Sequence, residues 1–161
     1  MTNWQHIIDH FLRMSDSEGE CDHYSPAGAS EESLARLESE LGISLPSELR
    51  EFYLHSDGLG LVPRDGSSMP LFVRPTHELV EYMQFCRSSF SGTHPVYAHR
   101  YFPCVDWYNG DSSGFMLDSD GRFVEGIYTF SHESYSYDAD QDAGEFLIAH
   151  ADSLAALLNP E

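Results

Sequence analysis

Residues 30–61 read SEESLARLESELGISLPSELREFYLHSDGLGL, and the reading of this stretch decides the fold. Leu34, Leu37 and Leu41 recur at helical spacing with Glu and Arg between them, which predicts one apolar stripe on a first helix. Ser30 is placed to cap its N-terminus, and Glu31 and Glu32 follow where the helix dipole favours negative charge. Gly42 ends it, since glycine takes the left-handed conformation of a helix C-cap without strain. Four residues on, Pro46 suits the first turn of a second helix, where its missing N–H goes unused. Leu49, Phe52 and Tyr53 form that helix's apolar face, and Ser56-Asp57-Gly58 stops it and hands the chain to a strand. Helices this short are marginal alone, so both stripes need a surface elsewhere in the chain.

Working outward, residues 3–14 predict another helix, with Trp4, Ile7, Ile8, Phe11 and Leu12 inward and His6, His10 and Arg13 opposite. His6 and His10 are spaced to share a metal. Ile7 stands where a zinc protease carries its glutamate, and no third ligand follows, so a solvated face is expected and no metal. Residues 15–29 are polar, acidic and broken by Gly19, Pro26 and Gly28, the composition of a loop.

Beyond the helix pair, residues 59–62 and 71–73 predict short strands around a Pro63-Arg64-Asp65-Gly66 turn. Thr76 is expected to cap a helix over 76–88 that buries Leu79, Val80, Met83 and either Phe85 or Cys86. Residues 96–126 read as antiparallel sheet, with strands at 101–107, 115–117 and 123–127 and a hairpin turn at Asp118-Ser119-Asp120-Gly121. Residues 128–137 add a strand or a long loop. A last helix is expected from Gln141 or Asp142 to Leu158, with Phe146, Leu147, His150, Leu154 and Leu157 down one side. The order predicts one α+β domain over residues 1–161, its helices packed around a mainly antiparallel sheet.

At 161 residues, 41% hydrophobic and 13% aromatic, the chain can bury one sizeable core. No apolar run has the length of a membrane span, and MTNWQHIIDH lacks a basic region and cleavage site, so a cytoplasmic protein is expected. Cys21, Cys86 and Cys104 are odd in number and unpaired by spacing, which favours neither a disulfide framework nor a zinc site. Charge says more: eight cations, all arginine, face 27 Asp plus Glu, for a net charge of -19. Such a surface repels phosphates and anionic lipid and argues against binding nucleic acid or membrane directly. It attracts a basic protein, although charge of this size also serves solubility alone.

Three patterns invite a catalytic or metal-binding reading. Gly110-Asp111-Ser112-Ser113-Gly114 matches G-x-S-x-G, yet an esterase elbow needs a following helix, and FMLDSDGRFV alternates and turns like a hairpin. Asp138, Asp140, Asp142 and Glu145 begin like a calcium loop, but Ala143 holds the glycine position and Ala149 the twelfth; a start at Asp118 puts Thr129 there. Cys104 reads as a small buried hydrophobe, and the absence of lysine removes Schiff-base and Walker-type chemistry. No cofactor is expected. What remains is a binding surface: Trp107, Tyr108, Tyr135 and Tyr137 lie among Asp111, Asp138 and Asp140, aromatic anchors in an acidic rim. Of these, Trp107 leans toward the core, and Tyr135 and Tyr137 toward the surface.

The segment LARLESELGISLPSELREFYLHSDGL resembles the SUKH superfamily, the Smi/Knr-type fold. That pattern has a helix ending in Leu-Gly, then Leu-Pro, a second helix with an aromatic core residue, and a Ser-Asn-Gly-like turn. Asp57 stands here where the family commonly has Asn. A second match runs from Phe102-Pro103 to Asp118, and a third is Gly144-Glu145-Phe146-Leu147 at the last helix, so residues 30–158 are covered better than 1–29. The resemblance implies a non-catalytic module. Bacterial members are similar to immunity proteins that occlude a cognate toxin, often a nuclease or deaminase, and fungal relatives are hub-like regulators. The rival from another class is a small hydrolase using Ser112 or a His/Asp pair, and Ser112 in that role needs a histidine within hydrogen-bond distance.

Overall fold

The structure, a computed structural model, describes residues 1–160. Ser30 caps α2 (Glu31–Leu41) by accepting from the Ser33 N–H at 3.1 Å, and Gly42 closes it with φ at 68°. In α3 (Ser47–His55), Pro46 sits just ahead of the first helical residue rather than within the first turn. Polar contacts pin the pair: Glu38 accepts from the Leu45 N–H at 3.0 Å, and Arg50 bridges Glu31 and Glu38. Leu34, Leu37, Leu49, Phe52 and Tyr53 are all buried, in one core with Trp4, Ile8 and Leu12 of α1 (Trp4–Ser15).

The surface they pack on is a seven-stranded antiparallel sheet whose spatial order follows the chain. Its strands are β1 (Cys21–Tyr24), β2 (Leu59–Pro63), β3 (Leu71–Val73), β4 (Tyr101–Asp106), β5 (Ser112–Met116), β6 (Ile127–Phe130) and β7 (Leu147–Ala151). Successive residues Tyr101 and Phe102 on β4, and Phe115 and Met116 on β5, enter different cores, as the two-residue strand period requires. The larger core takes in α1, α2, α3, most of α4 (Thr76–Ser88) and α6 (Leu154–Leu158). The smaller is aromatic: Phe90, Tyr101, Phe130, Tyr135 and Phe146 pack ring against ring.

The α+β expectation holds, with local corrections. The stretch 15–29 is not all loop: β1 lies in it, paired from Cys21↔Pro63 to Tyr24↔Gly60. Its polar residues carry no strand signal; the β2 backbone and the Asp16 carboxylate, which accepts from the Glu20 and Cys21 N–H groups, hold it extended. Within 96–126, α5 (Pro95–Arg100) is a helix that proline opens, too short for periodicity to reveal. The 118–121 turn forms, with Asp118 accepting from the Asp120 and Arg122 N–H groups, but its hairpin is a single Leu117↔Phe123 bridge. Phe123 turns in against Phe102 and Phe115, and Gly126, with φ at 92°, redirects the chain, so the expected strand 123–127 starts only at Ile127.

The expected long final helix is three elements: a single 3-10 turn at Ala143–Glu145, then β7, then α6. Phe146 and Leu147 enter the small core while His150 is exposed, because pairing with β6 overrides the helical spacing. Helix α6 is held from a distance: Glu48 of α3 accepts from the Leu154 and Ala155 N–H groups, both at 2.8 Å.

A similar long-range cap starts α4. Thr76 is its first residue, not its cap, and Pro75 before it offers no capping side chain. Instead Asp57 accepts from the Thr76 N–H at 2.8 Å and from its hydroxyl at 3.3 Å. Beside it the buried Ser56 hydroxyl reaches the carbonyls of Gly58 (2.7 Å) and Pro26 (3.1 Å). Asp57→Ala is therefore expected to destabilise the fold by about 1–2 kcal/mol, and Asp57→Asn, which keeps an acceptor, by clearly less. Urea denaturation of the two variants beside the parent checks this, and equal losses would refute the capping role.

Candidate functional site

An antiparallel meander brings alternate connections to the same end of a sheet. Here the pairings Cys21↔Pro63, Asp106↔Ser112, Ser112↔Phe130 and Phe130↔Leu147 place the segments 16–20, 64–70, 107–111 and 131–146 along one end. The first two carry Asp16, Glu18, Glu20 and Asp65; the last two carry Asp111, Glu133, Asp138, Asp140, Asp142 and Glu145. Arg64 is the single arginine in the four segments and is tied to Asp22 and to the Gly19 and Cys21 carbonyls. Ten carboxylates against one guanidinium make this end a strongly anionic rim.

The turn from Trp107 to Asp111 is rigidly built. Tyr108 has φ at 59°, in the left-handed region that residues with a side chain seldom enter. It is held there from two sides: its N–H donates to Asp106 Oδ1 at 2.8 Å, and its hydroxyl oxygen accepts from the Leu71 N–H at 2.6 Å. The ring, half exposed, lies edge-on to Phe72. Trp107 goes the other way, half-buried against Phe11, and its indole N–H donates to Ser113 Oγ at 2.8 Å. Asp111 joins this turn to the next segment, because its Oδ1 accepts from both the N–H and Nδ1 of His132, at 3.0 and 2.6 Å.

In the segment beyond His132 the expectation is half corrected. Tyr137 is 77% exposed and, with φ at 62°, shares with Tyr108 the distinction of being a non-glycine residue at positive φ among the described residues. Tyr135 is not on the surface: it is buried, with its hydroxyl 2.6 Å from Thr93 Oγ1, because the segment folds back over the aromatic core. The rings of Tyr135 and Tyr137 pack at 4.6 Å, so the buried one seats the exposed one. Asp138 accepts from the Asp140 N–H, and Asp142 caps the 3-10 turn through Gly144 N–H. Trp107, Tyr108 and Asp111 thus share one turn that the Asp111–His132 contact joins to the segment bearing Tyr135, Tyr137, Asp138 and Asp140.

Sequence reasoning missed Phe85 as a surface residue. It is 72% exposed on α4, while Cys86 takes the buried position that Leu79 and Met83 set up at helical spacing. That spacing was the available signal. Phe85 lines a pocket of about 250 Å³ with Tyr82, Asp106, Tyr108 and Asp111.

Ser112 has no nucleophile geometry. Its hydroxyl is buried and bonded to the phenol of Tyr101 at 2.9 Å, and no histidine lies within hydrogen-bond distance of it among the described residues. Burial pushes the Cys86 and Cys104 thiols up, away from the reactive thiolate. The His6 and His10 rings are 6.5 Å apart, and no group of three or more His, Cys, Asp or Glu side chains is arranged to hold a metal among the described residues.

The fold is an α+β meander with helices around it and an anionic rim at one end. The family model described as the SMI1 / KNR4 family (SUKH-1) matches residues 28–159, and the chain belongs to that family. Comparison with curated proteins returns no match. Helix α1 and strand β1 precede the matched region but share its core and its sheet.

Asp111 generates a local prediction. Asp111→Ala removes both acceptor contacts of His132, and amide exchange at His132 is expected to rise by about tenfold or more while global stability changes by less than about 1 kcal/mol. Hydrogen exchange read residue by residue, with thermal melting in parallel, checks it; unchanged exchange would show that the segment is held elsewhere.

Proposed function

We propose that this protein is an immunity-type binding module that neutralises a basic toxin, a nuclease for preference, by sitting on its working surface in the cytoplasm. The observation that carries this reading is the rim, ten carboxylates and one guanidinium along one end of the sheet, with Tyr108 half exposed and Tyr137 largely exposed on it. A basic nuclease displays cations to engage phosphates, and a rigid anionic face competes for them. Occlusion needs no catalytic group, in keeping with a Ser112 bonded to a phenol. Exposed aromatics supply desolvated anchors, and the charges around them speed and orient the encounter. Family membership supports a protein-binding role; it also accommodates a regulatory scaffold of the Smi/Knr type. Among the described residues no helix is long and apolar enough to cross a membrane.

The test is genetic and kinetic. Deleting the gene is expected to sensitise cells to a toxin encoded beside it, and restoring the gene to protect them; if every neighbouring toxin kills equally with and without this protein, the reading fails. With the toxin in hand, the association rate is expected to fall about tenfold or more between low and high salt, with dissociation changing less. Stopped-flow binding measures that slope, and a rate indifferent to salt would remove the anionic rim from the encounter. Recovery of a non-toxin partner alone would favour the scaffold.

A further inference from the structure

Two hollows adjoin on the outer side of α4, sharing Tyr82 and Phe85. The first contains an arginine of the chain itself. The Arg74 guanidinium carbon lies 5.2 Å from the centroid of the Tyr82 ring and 6.0 Å from that of Tyr108, and one nitrogen pairs with Asp106 at 3.1 Å. The second hollow, about 250 Å³, repeats those ingredients around Phe85, Tyr108 and Asp111, with the Ser112 residue in its lining. Its volume is on the scale of one long side chain.

We propose that this second pocket receives the side chain of one arginine from the protein's partner. The inference rests on the protein-binding reading above and names the anchor within it. Charge is the first argument. Asp106 is already engaged on both oxygens, by Tyr108 N–H and by Arg74. Asp111 uses only Oδ1, toward His132, and its Oδ2 has no hydrogen-bond partner among the described residues. Glu78 and Glu81 line the neighbouring hollow, so the two hollows together carry four carboxylates against the one guanidinium of Arg74, and an incoming cation meets a net negative site.

Shape is the second argument, and it selects arginine over lysine. Phe85 leaves most of its ring exposed, and Tyr108 is fixed at positive φ by hydrogen bonds at both ends. A planar guanidinium stacks on an open ring such as that of Phe85 and still donates edge-on to a carboxylate, whereas an ammonium, compact and strongly hydrated, loses more water to enter. The chain's own Arg74 demonstrates that geometry one hollow away.

N-acetyl-arginine amide serves as the probe, titrated at low salt into the isotope-labelled full chain and followed by amide chemical shifts. Shifts are expected at Phe85, Ser89, Gly110, Asp111 and Ser112, with N-acetyl-lysine amide several-fold weaker and the uncharged N-acetyl-citrulline amide without effect. Phe85→Ala, an exposed position, and Asp111→Asn should each weaken the arginine probe by about threefold or more. Equal shifts across the 16–20 and 131–146 segments would overturn the pocket in favour of diffuse charge attraction, as would citrulline binding as well as arginine. Doubling of the mass in solution, with the same pocket shifts relieved on dilution, would overturn the partner as occupant and assign the pocket to a second copy. Failures of the two readings separate cleanly. A pocket that binds arginine in a chain that protects against no toxin sinks the immunity function alone, and full protection by both variants sinks the pocket alone.

Discussion

The turn Ser56-Asp57-Gly58 is the constraint on which the rest of the architecture depends. Ser56 is completely buried and bridges the carbonyls of Gly58 and Pro26, so the connector from β1 is tied to the end of α3. Asp57 reaches past the strands to start α4, and its own N–H donates to the Ala27 carbonyl. One turn earlier, Tyr53 donates its hydroxyl to the Arg74 carbonyl, just before α4. Three residues between positions 53 and 57 thereby join the N-terminal segment, the helix pair and the helix bordering the pocket. Buried polar groups are costly unless paired, so such a cluster specifies one arrangement of the elements around it.

That rigidity matters for a surface so heavily charged. A net charge of -19 favours expansion through self-repulsion, and the acidic segments at the sheet end concentrate it. Many of those carboxylates are occupied with the backbone: Asp16, Asp65, Asp138 and Asp142 each accept a main-chain N–H within their own turn or just beyond it. The same groups that repel one another therefore order the loops that carry them. Tyr108 and Tyr137 add local strain of about 1 kcal/mol or more each, tolerated because neighbouring bonds and rings hold them. For the binding role proposed above, strained, exposed aromatics on an ordered acidic rim would offer a surface already formed before a partner arrives.

The helix pair was legible because its signals are local. Ser30 and Gly42 act within one turn of chain, and the leucine spacing needs only that some apolar surface exist. Strands β2 and β3 were legible from their apolar runs between turn residues. Strands β1 and β7 were not. Cys21–Tyr24 has the composition of a loop, and Leu147–Ala151 lies in a run with helical spacing, yet each is a strand because a neighbour's edge offers it hydrogen bonds. Of the site, Tyr108, Tyr137 and the aspartates were read into turns and strand ends, while Tyr135 was misplaced, since its burial depends on a segment folding back over Phe130 and Phe146.

Left to itself, the amino-acid order determined the α+β class, the inward stripes of α1, α2 and α3, the charge, and the turn that ends α3. These rest on periods of two and 3.6 residues, on caps and on composition, all of which act over a few positions. Tertiary structure alone decided that the acidic segments gather at one end, that Asp57 and Glu48 cap helices far along the chain, and that Phe85 faces outward beside Tyr108 and Asp111. Those outcomes depend on strand order and register, which arise only when distant parts of the backbone satisfy one another's hydrogen bonds.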